Sequence, residues 1–159
     1  MIITAKSPPR IMPGSIASSG LLSYLFTSKF CDAIPFYRME RILQRNGILI
    51  SRTKIANWAI KVAGKLEGLI ELMREKIREG PLINMDESVL QVLKEPNRKP
   101  ETQSYMWVSI GSGKEGEIVL FNYSLTRNSE VPLNLLKGFN GVLQSDGYKG
   151  YEKVVRENG

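Results

Sequence analysis

Apolar residues recur at helical spacing through the first half of the chain and gather into strand-like runs in the second. Ser18 or Ser19 is placed to cap a helix covering Leu21 to Phe30, with Leu21, Leu22, Leu25 and Phe26 on its apolar face. Pro35 suits the first turn of a second helix, whose Phe36, Met39, Ile42 and Leu43 keep the 3.6-residue period to about Arg45. Asn46-Gly47 breaks it. Ser51 is a good N-cap for a third helix, and Thr53 to Glu79 stays helix-compatible, carrying Ile55, Trp58, Val62, Leu66, Leu69, Met73 and Ile77. Gly64 and Gly68 are weak points where that long stretch can bend. Gly80-Pro81 ends it.

Beyond Gly80-Pro81 the period changes. Pro81 to Asp86 is a short apolar segment, Val89 to Leu93 continues as a strand, and Lys94 to Thr102 is a polar loop. Tyr105 to Ile110 and Ile118 to Tyr123, rich in β-branched and aromatic residues, predict two more strands joined by a hairpin over Gly111 to Gly116. Glu130 to Leu136 reads as a helix, Gly141 to Ser145 as a fourth strand, and Tyr148 onward as another helix. The prediction is an α/β (α+β) chain in which three helices precede the order β-β-β-α-β-α. An extended arm covers 1–17, a helical, helix-turn-helix-like module 18–80, and a second module 81–159. Short loops make the first three strands an antiparallel meander. The helical crossover lets the fourth lie parallel to the first, on its other side.

Two aspartates stand out in this pattern. The chain has only three Asp residues, and two of them, Asp86 in Asn84-Met85-Asp86-Glu87-Ser88 and Asp146 in Gln144-Ser145-Asp146-Gly147-Tyr148, end apolar runs that read as strands. Aspartate is disfavoured in strands, and its charge is costly where it loses water without a partner. On parallel neighbours about 4.8 Å apart the two carboxylates would face one another and repel unless a cation neutralised them. The chain has no His and a single Cys, which removes Ser-His-Asp and Cys-His catalysis and any cysteine-rich zinc site. A metal here would be held by oxygen, which favours Mg2+ or Mn2+ and phosphoryl transfer on nucleic acid. The plainer alternative is that Asp146-Gly147 is an ordinary turn and Asp86 sits in a bend. Glu87 should point to the face opposite Asp86 and stays outside the expected ligand set.

Composition sets the rest of the frame. At 159 residues, 42% hydrophobic and 24% charged, the chain suits one globular domain or one with a small appendage. No apolar run is long enough to span a bilayer, and Met1 to Gly20 lacks the apolar core of a signal peptide, so a cytoplasmic protein is expected. The net charge of +6 is concentrated in the first half, above all between Lys29 and Lys65. That excess suits a polyanion-binding module, or a merely solvated helix surface.

Several separated motifs, in order, carry a family resemblance: Ser15-Ile16-Ala17-Ser18-Ser19-Gly20-Leu21-Leu22, Pro35-Phe36-Tyr37-Arg38, Ser51-Arg52-Thr53 with Asn57-Trp58, Met85-Asp86-Glu87-Ser88, Tyr123-Ser124-Leu125-Thr126-Arg127, and Leu143-Gln144-Ser145-Asp146-Gly147-Tyr148-Lys149-Gly150-Tyr151. From about Ser15 onward the chain resembles the large transposase of the insertion sequence sixty-six family, among the DDE recombinases. The resemblance implies an incomplete RNase H-like core over 81–159, with Asp86 and Asp146 as the first two of three acidic metal ligands. It implies metal-dependent DNA strand cleavage and strand transfer in a longer parent, working on transposon ends and target DNA in a prokaryotic nucleoid. The family's third acid, a Glu, would lie beyond Glu157, so the chain is expected to be an internal fragment inactive in strand transfer by itself. The family usually has Thr where Ser88 stands, a change that keeps a hydroxyl.

Residues 35–63 read as helix, turn, helix, and the second helix would present Arg52, Lys54, Asn57 and Lys61 to DNA. Arg127, in the loop after the third strand, is a candidate phosphate contact. Trp58, Tyr148 and Tyr151 are expected in cores, and Cys31 is expected to be a small buried residue. Gly111 to Gly116 matches G-x-G-x-x-G, but a strand rather than a helix follows, so no nucleotide cofactor is expected. Two alternatives remain: a non-catalytic DNA-binding module and another RNase H-like nuclease. An exposed sheet edge would favour a homo-oligomer.

Overall fold

A computed structural model of the chain describes residues 9–113 and 116–158. The helices come first: α1 (Ser19–Phe30), α2 (Phe36–Arg45), α3 (Arg52–Lys65) and α4 (Glu67–Arg78). A mixed region follows, with β1 (Leu82–Gln91), β2 (Gln103–Gly113), β3 (Gly116–Ser124), α5 (Glu130–Leu135), β4 (Val142–Gln144) and α6 (Gly150–Asn158). This is the expected class and order, with one helix more than the periodicity suggested. The chain divides into two compact units, Met1–Glu67 and Gly68–Gly159.

Local chemistry sets the bounds of the first unit's helices. The Ser18 hydroxyl accepts from Leu21 N at 3.2 Å and the Ser51 hydroxyl from Lys54 N at 3.3 Å, each satisfying an amide that the helix start leaves free. After α2 the chain turns at Gly47, with φ +74. Ile48 N donates to Leu43 O at 2.9 Å and Gly47 N to Gln44 O at 3.0 Å, the pair of bonds that closes a Schellman motif. Leu22, Leu25, Met39, Leu43, Ile55 and Trp58 form the core. Residues 1–8 of the expected arm lie outside the described residues, but its second half is tied down: Met12 and Ala17 are buried in the same core. Trp58 packs as expected. Cys31 does not: it is exposed, because it caps the C-terminal end of α1 rather than lying on its apolar face.

The expected helix over Thr53 to Glu79 is in fact two. Leu66 N bonds to both Val62 O and Ala63 O as α3 closes, and α4 starts afresh at Glu67. The break falls between Gly64 and Gly68. The two halves serve different cores: Ile55 and Trp58 pack in the first unit, Met73 and Ile77 in the second. The two compact units meet at Glu67–Gly68, and the change from helical to strand period comes later, at Gly80-Pro81.

In the second unit the sheet runs β3-β2-β1-β4. β1 and β2 are antiparallel, as are β2 and β3, and β4 lies parallel to β1. Side chains alternate across a strand. Ile83 and Met85 of β1 therefore share a face with Trp107 of β2 and Leu120 of β3. On that face they pack with Ile77, Leu136, Phe139, Tyr151 and Val154. Gly111, opposite Ile83, leaves room for α4: a Cβ there would stand 2.7 Å from Ile77 Cγ1. The other face carries Val108, Phe121, Tyr123 and Val142 and is largely open, with Phe121 and Val142 each 65% exposed. No helix among the described residues is long and apolar enough to cross a membrane.

Candidate metal centre

β4 pairs with β1 only through Leu82↔Val142, Ile83↔Leu143 and Asn84↔Gln144. Asp86 and Asp146 are each two residues past Asn84↔Gln144, Asp86 within β1 and Asp146 in the segment that follows β4. With β4 ended, the edge of β1 is open at this point. Carboxylate oxygens of Asp86, Glu87 and Asp146 all lie within 4.8 Å of one another.

The three acids stand in different surroundings. Asp86 is exposed, and its Oδ1 accepts from Glu87 N at 2.8 Å. The Asp146 side chain is 53% exposed, and its Oδ1 accepts from Tyr148 N at 3.1 Å. Each aspartate thus has one oxygen fixed by a nearby backbone amide. Its Oδ2 has no hydrogen bond among the described residues. Glu87 has the parity of Ile83 and Met85 and turns toward the core; only 1% of its side chain is exposed. Its Oε1 pairs with Arg127, and its Oε2 accepts from the Tyr151 hydroxyl at 2.9 Å.

Arg127 ties these groups together. Besides pairing with Glu87, its guanidinium lies 3.9 Å from Asp146 Oδ2 and 4.1 Å from the centre of the Tyr148 ring. The Tyr148 hydroxyl donates to the Arg127 carbonyl. The hydrogen bond to Glu87 is the main cause of a pKa raised above the usual arginine value. The Tyr151 phenol is pushed well above its ordinary range, first by burial, then by the hydrogen bond to Glu87 and the surrounding carboxylates. The Tyr151 ring meets Trp107 and Tyr148 edge-on, with centroids 6.1 and 5.8 Å apart. The absence of a side chain at Gly150 lets the Tyr148 ring lie over the start of α6, whereas a Cβ at Gly147 would meet open space.

The donor set is all oxygen and suits a hard divalent cation. Asp86 and Asp146 are the pair suited to share one, since both oxygens of Glu87 are already engaged. Of the expected DNA contacts, Arg127 belongs to this cluster and the other four belong to the first unit. Arg52, Lys54, Asn57 and Lys61 are all exposed on α3. Lys54, Asn57 and Lys61 follow i, i+3, i+7 spacing and form one stripe, while Arg52, two positions before Lys54, falls on the far side of the helix. Sequence reasoning missed the roles of Glu87 and Gly150. For Glu87 a signal was present: a charged residue on the core-facing parity of a strand needs a buried partner.

Two uncharacterised proteins of Sinorhizobium fredii (strain NBRC 101917 / NGR234) align with nearly the whole chain. Protein y4qI is 28% identical over 160 residues, covering 98% of this chain and 30% of its own length. Protein y4jD is 31% identical over 163 residues, covering 99% of this chain and 32% of its own length. The chain thus spans about a third of the length of the curated relatives it matches. No solved structure matches it. The family model described as Transposase IS66 family matches residues 14–159, and the chain belongs to that family.

Proposed function

We propose that residues 81–159 are part of an RNase H-like catalytic core, with Asp86 and Asp146 as two ligands of the divalent cation, Mg2+ or Mn2+, of a DNA transposase. The observation that carries this reading is the gathering of their carboxylates within 4.8 Å, Asp86 from the middle of β1 and Asp146 from the segment just after its parallel neighbour β4. Each offers Oδ2, and each is held in place through Oδ1. When bound, such a cation aligns an attacking oxygen and neutralises charge at the phosphodiester. In this reading the third acid of the family comes from outside these residues, so the 159-residue chain binds cation and DNA but does not cleave or join strands. Its place of action is the bacterial nucleoid, in the cytoplasm. The exposed stripe Lys54, Asn57 and Lys61 on α3 holds the DNA backbone, and Arg52, on the other side of the helix start, makes a separate phosphate contact.

A second reading, a DNA-binding module without catalysis, draws support from Arg127, which already supplies a positive charge to the cluster. Titration of the purified chain with Mn2+, followed by electron paramagnetic resonance, separates the two. The catalytic reading expects saturable binding that is lost in both Asp86→Asn and Asp146→Asn. Binding that survives both substitutions would place the cation elsewhere and end that reading.

A further inference from the structure

We propose that Arg127, acting with Tyr148, is a positioning residue that sets where Asp146 stands relative to Asp86, so that cation affinity depends on the shape of the arginine and not only on its charge. The proposal rests on the metal-binding reading above. Asp146 lies beyond the last sheet pair, Asn84↔Gln144, and ahead of α6, which begins at Gly150. Neither regular element fixes the segment between them. Its hydrogen bonds at Ser145 and Asp146 are local, the Ser145 hydroxyl to Asp146 O and Tyr148 N to Asp146 Oδ1. They shape the turn without tying it to β1.

Beside the edge contact of the Tyr148 ring with Tyr151, the polar ties to the rest of the unit run through Arg127. Its carbonyl accepts from the Tyr148 hydroxyl, its guanidinium carbon stands over the Tyr148 ring 4.1 Å from the centre, and the same group reaches Asp146. Arg127 is itself docked on Glu87, a carboxylate sealed from solvent and held at its other oxygen by Tyr151. Glu87 adjoins Asp86 on β1. A continuous path of contacts therefore joins the two aspartates: Asp86, Glu87, Arg127, Tyr148, Asp146. A planar fork that pairs with a carboxylate while stacking on an aromatic ring is something lysine cannot reproduce.

Charge and shape predict opposite outcomes. As a mere counter-ion, Arg127 would repel a divalent cation, so Arg127→Ala would tighten binding and Arg127→Lys would change little. As a positioning residue, its loss leaves Asp146 misplaced and weakens binding in both variants, by about tenfold or more, the scale typical of groups that orient metal ligands. The test is Mn2+ affinity of the 159-residue chain by electron paramagnetic resonance, at a temperature where circular dichroism shows each variant folded. Arg127→Lys and Tyr148→Phe, which retain most of the packing, accompany Arg127→Ala. The expected result is a loss of at least about tenfold in both Arg127 variants and a smaller loss in Tyr148→Phe. Wild-type affinity in Arg127→Lys, or tighter binding in Arg127→Ala, overturns the proposal and leaves the metal reading standing. No Mn2+ binding in the wild-type chain overturns both.

Discussion

Replacing Tyr151 with phenylalanine removes one oxygen and little else. The ring keeps its edge contacts with Trp107 and Tyr148. The lost hydroxyl is the donor 2.9 Å from Glu87 Oε2, on a side chain only 1% exposed. A hydrogen bond to a charged group contributes about 1.5–3 kcal/mol, and water cannot readily replace it at so buried an acceptor. A loss of about 2 kcal/mol is therefore expected. The unit concerned, Gly68–Gly159, is of a size for which each kcal/mol moves the melting temperature by about 4–8 °C. The melting temperature should fall by roughly 8–16 °C. The chain's two tryptophans supply the assay, since Trp58 lies in one core and Trp107 in the other. In a Trp58→Phe background, thermal unfolding followed by Trp107 emission reports the sheet unit alone. A melting temperature within about 2 °C of the parent's would show that the hydroxyl does not hold Glu87, and the account of the buried carboxylate would be wrong.

Other expectations follow from the same geometry. The folded-state pKa of Tyr151 is raised, so above about pH 10 the unfolded chain releases a proton that the native one keeps. Stability should be unaffected by this group below that pH and fall above it, by up to about 1.4 kcal/mol per pH unit, and denaturant midpoints in Tyr151→Phe should lack this component. Gly111→Ala would press a methyl group against Ile77 and the Leu82 carbonyl, 2.7 and 3.0 Å away, costing about 1–3 kcal/mol in urea unfolding. Duplex DNA affinity should fall with salt, and Lys54→Ala with Lys61→Ala should reduce the log–log slope by about 2; an unchanged slope would remove α3 from the DNA-binding surface.

Much of this architecture was legible because local chemistry decided it. Ser18, Ser51 and Asn46-Gly47 mark helix ends by bonds made within a few residues, and these hold in the fold. The parallel placement of β4 followed from loop lengths and the crossover rule. The break at Leu66 was not legible as a boundary, because apolar spacing continues across it while the cores it serves change. That distinction is tertiary. Glu87 shows the same limit: alternation along β1 gave its face, but its partners Arg127 and Tyr151 are 40 and 64 residues away in the chain. Cys31 was misread from composition, since the end of α1 exposes it. Asp86 and Asp146 drew notice as rare acids ending apolar runs, and the parallel pairing of β4 with β1 brings their segments together.

The openness of one sheet face bears on how such measurements are made. Reporter dyes that brighten on greasy surface will find Phe121, Val142 and Tyr123 in the intact protein, before any heating. A dye-based melting curve would then start bright and flatten the transition it is meant to reveal. Indole emission and circular dichroism are free of that background and are the signals by which variants of this chain should be ranked.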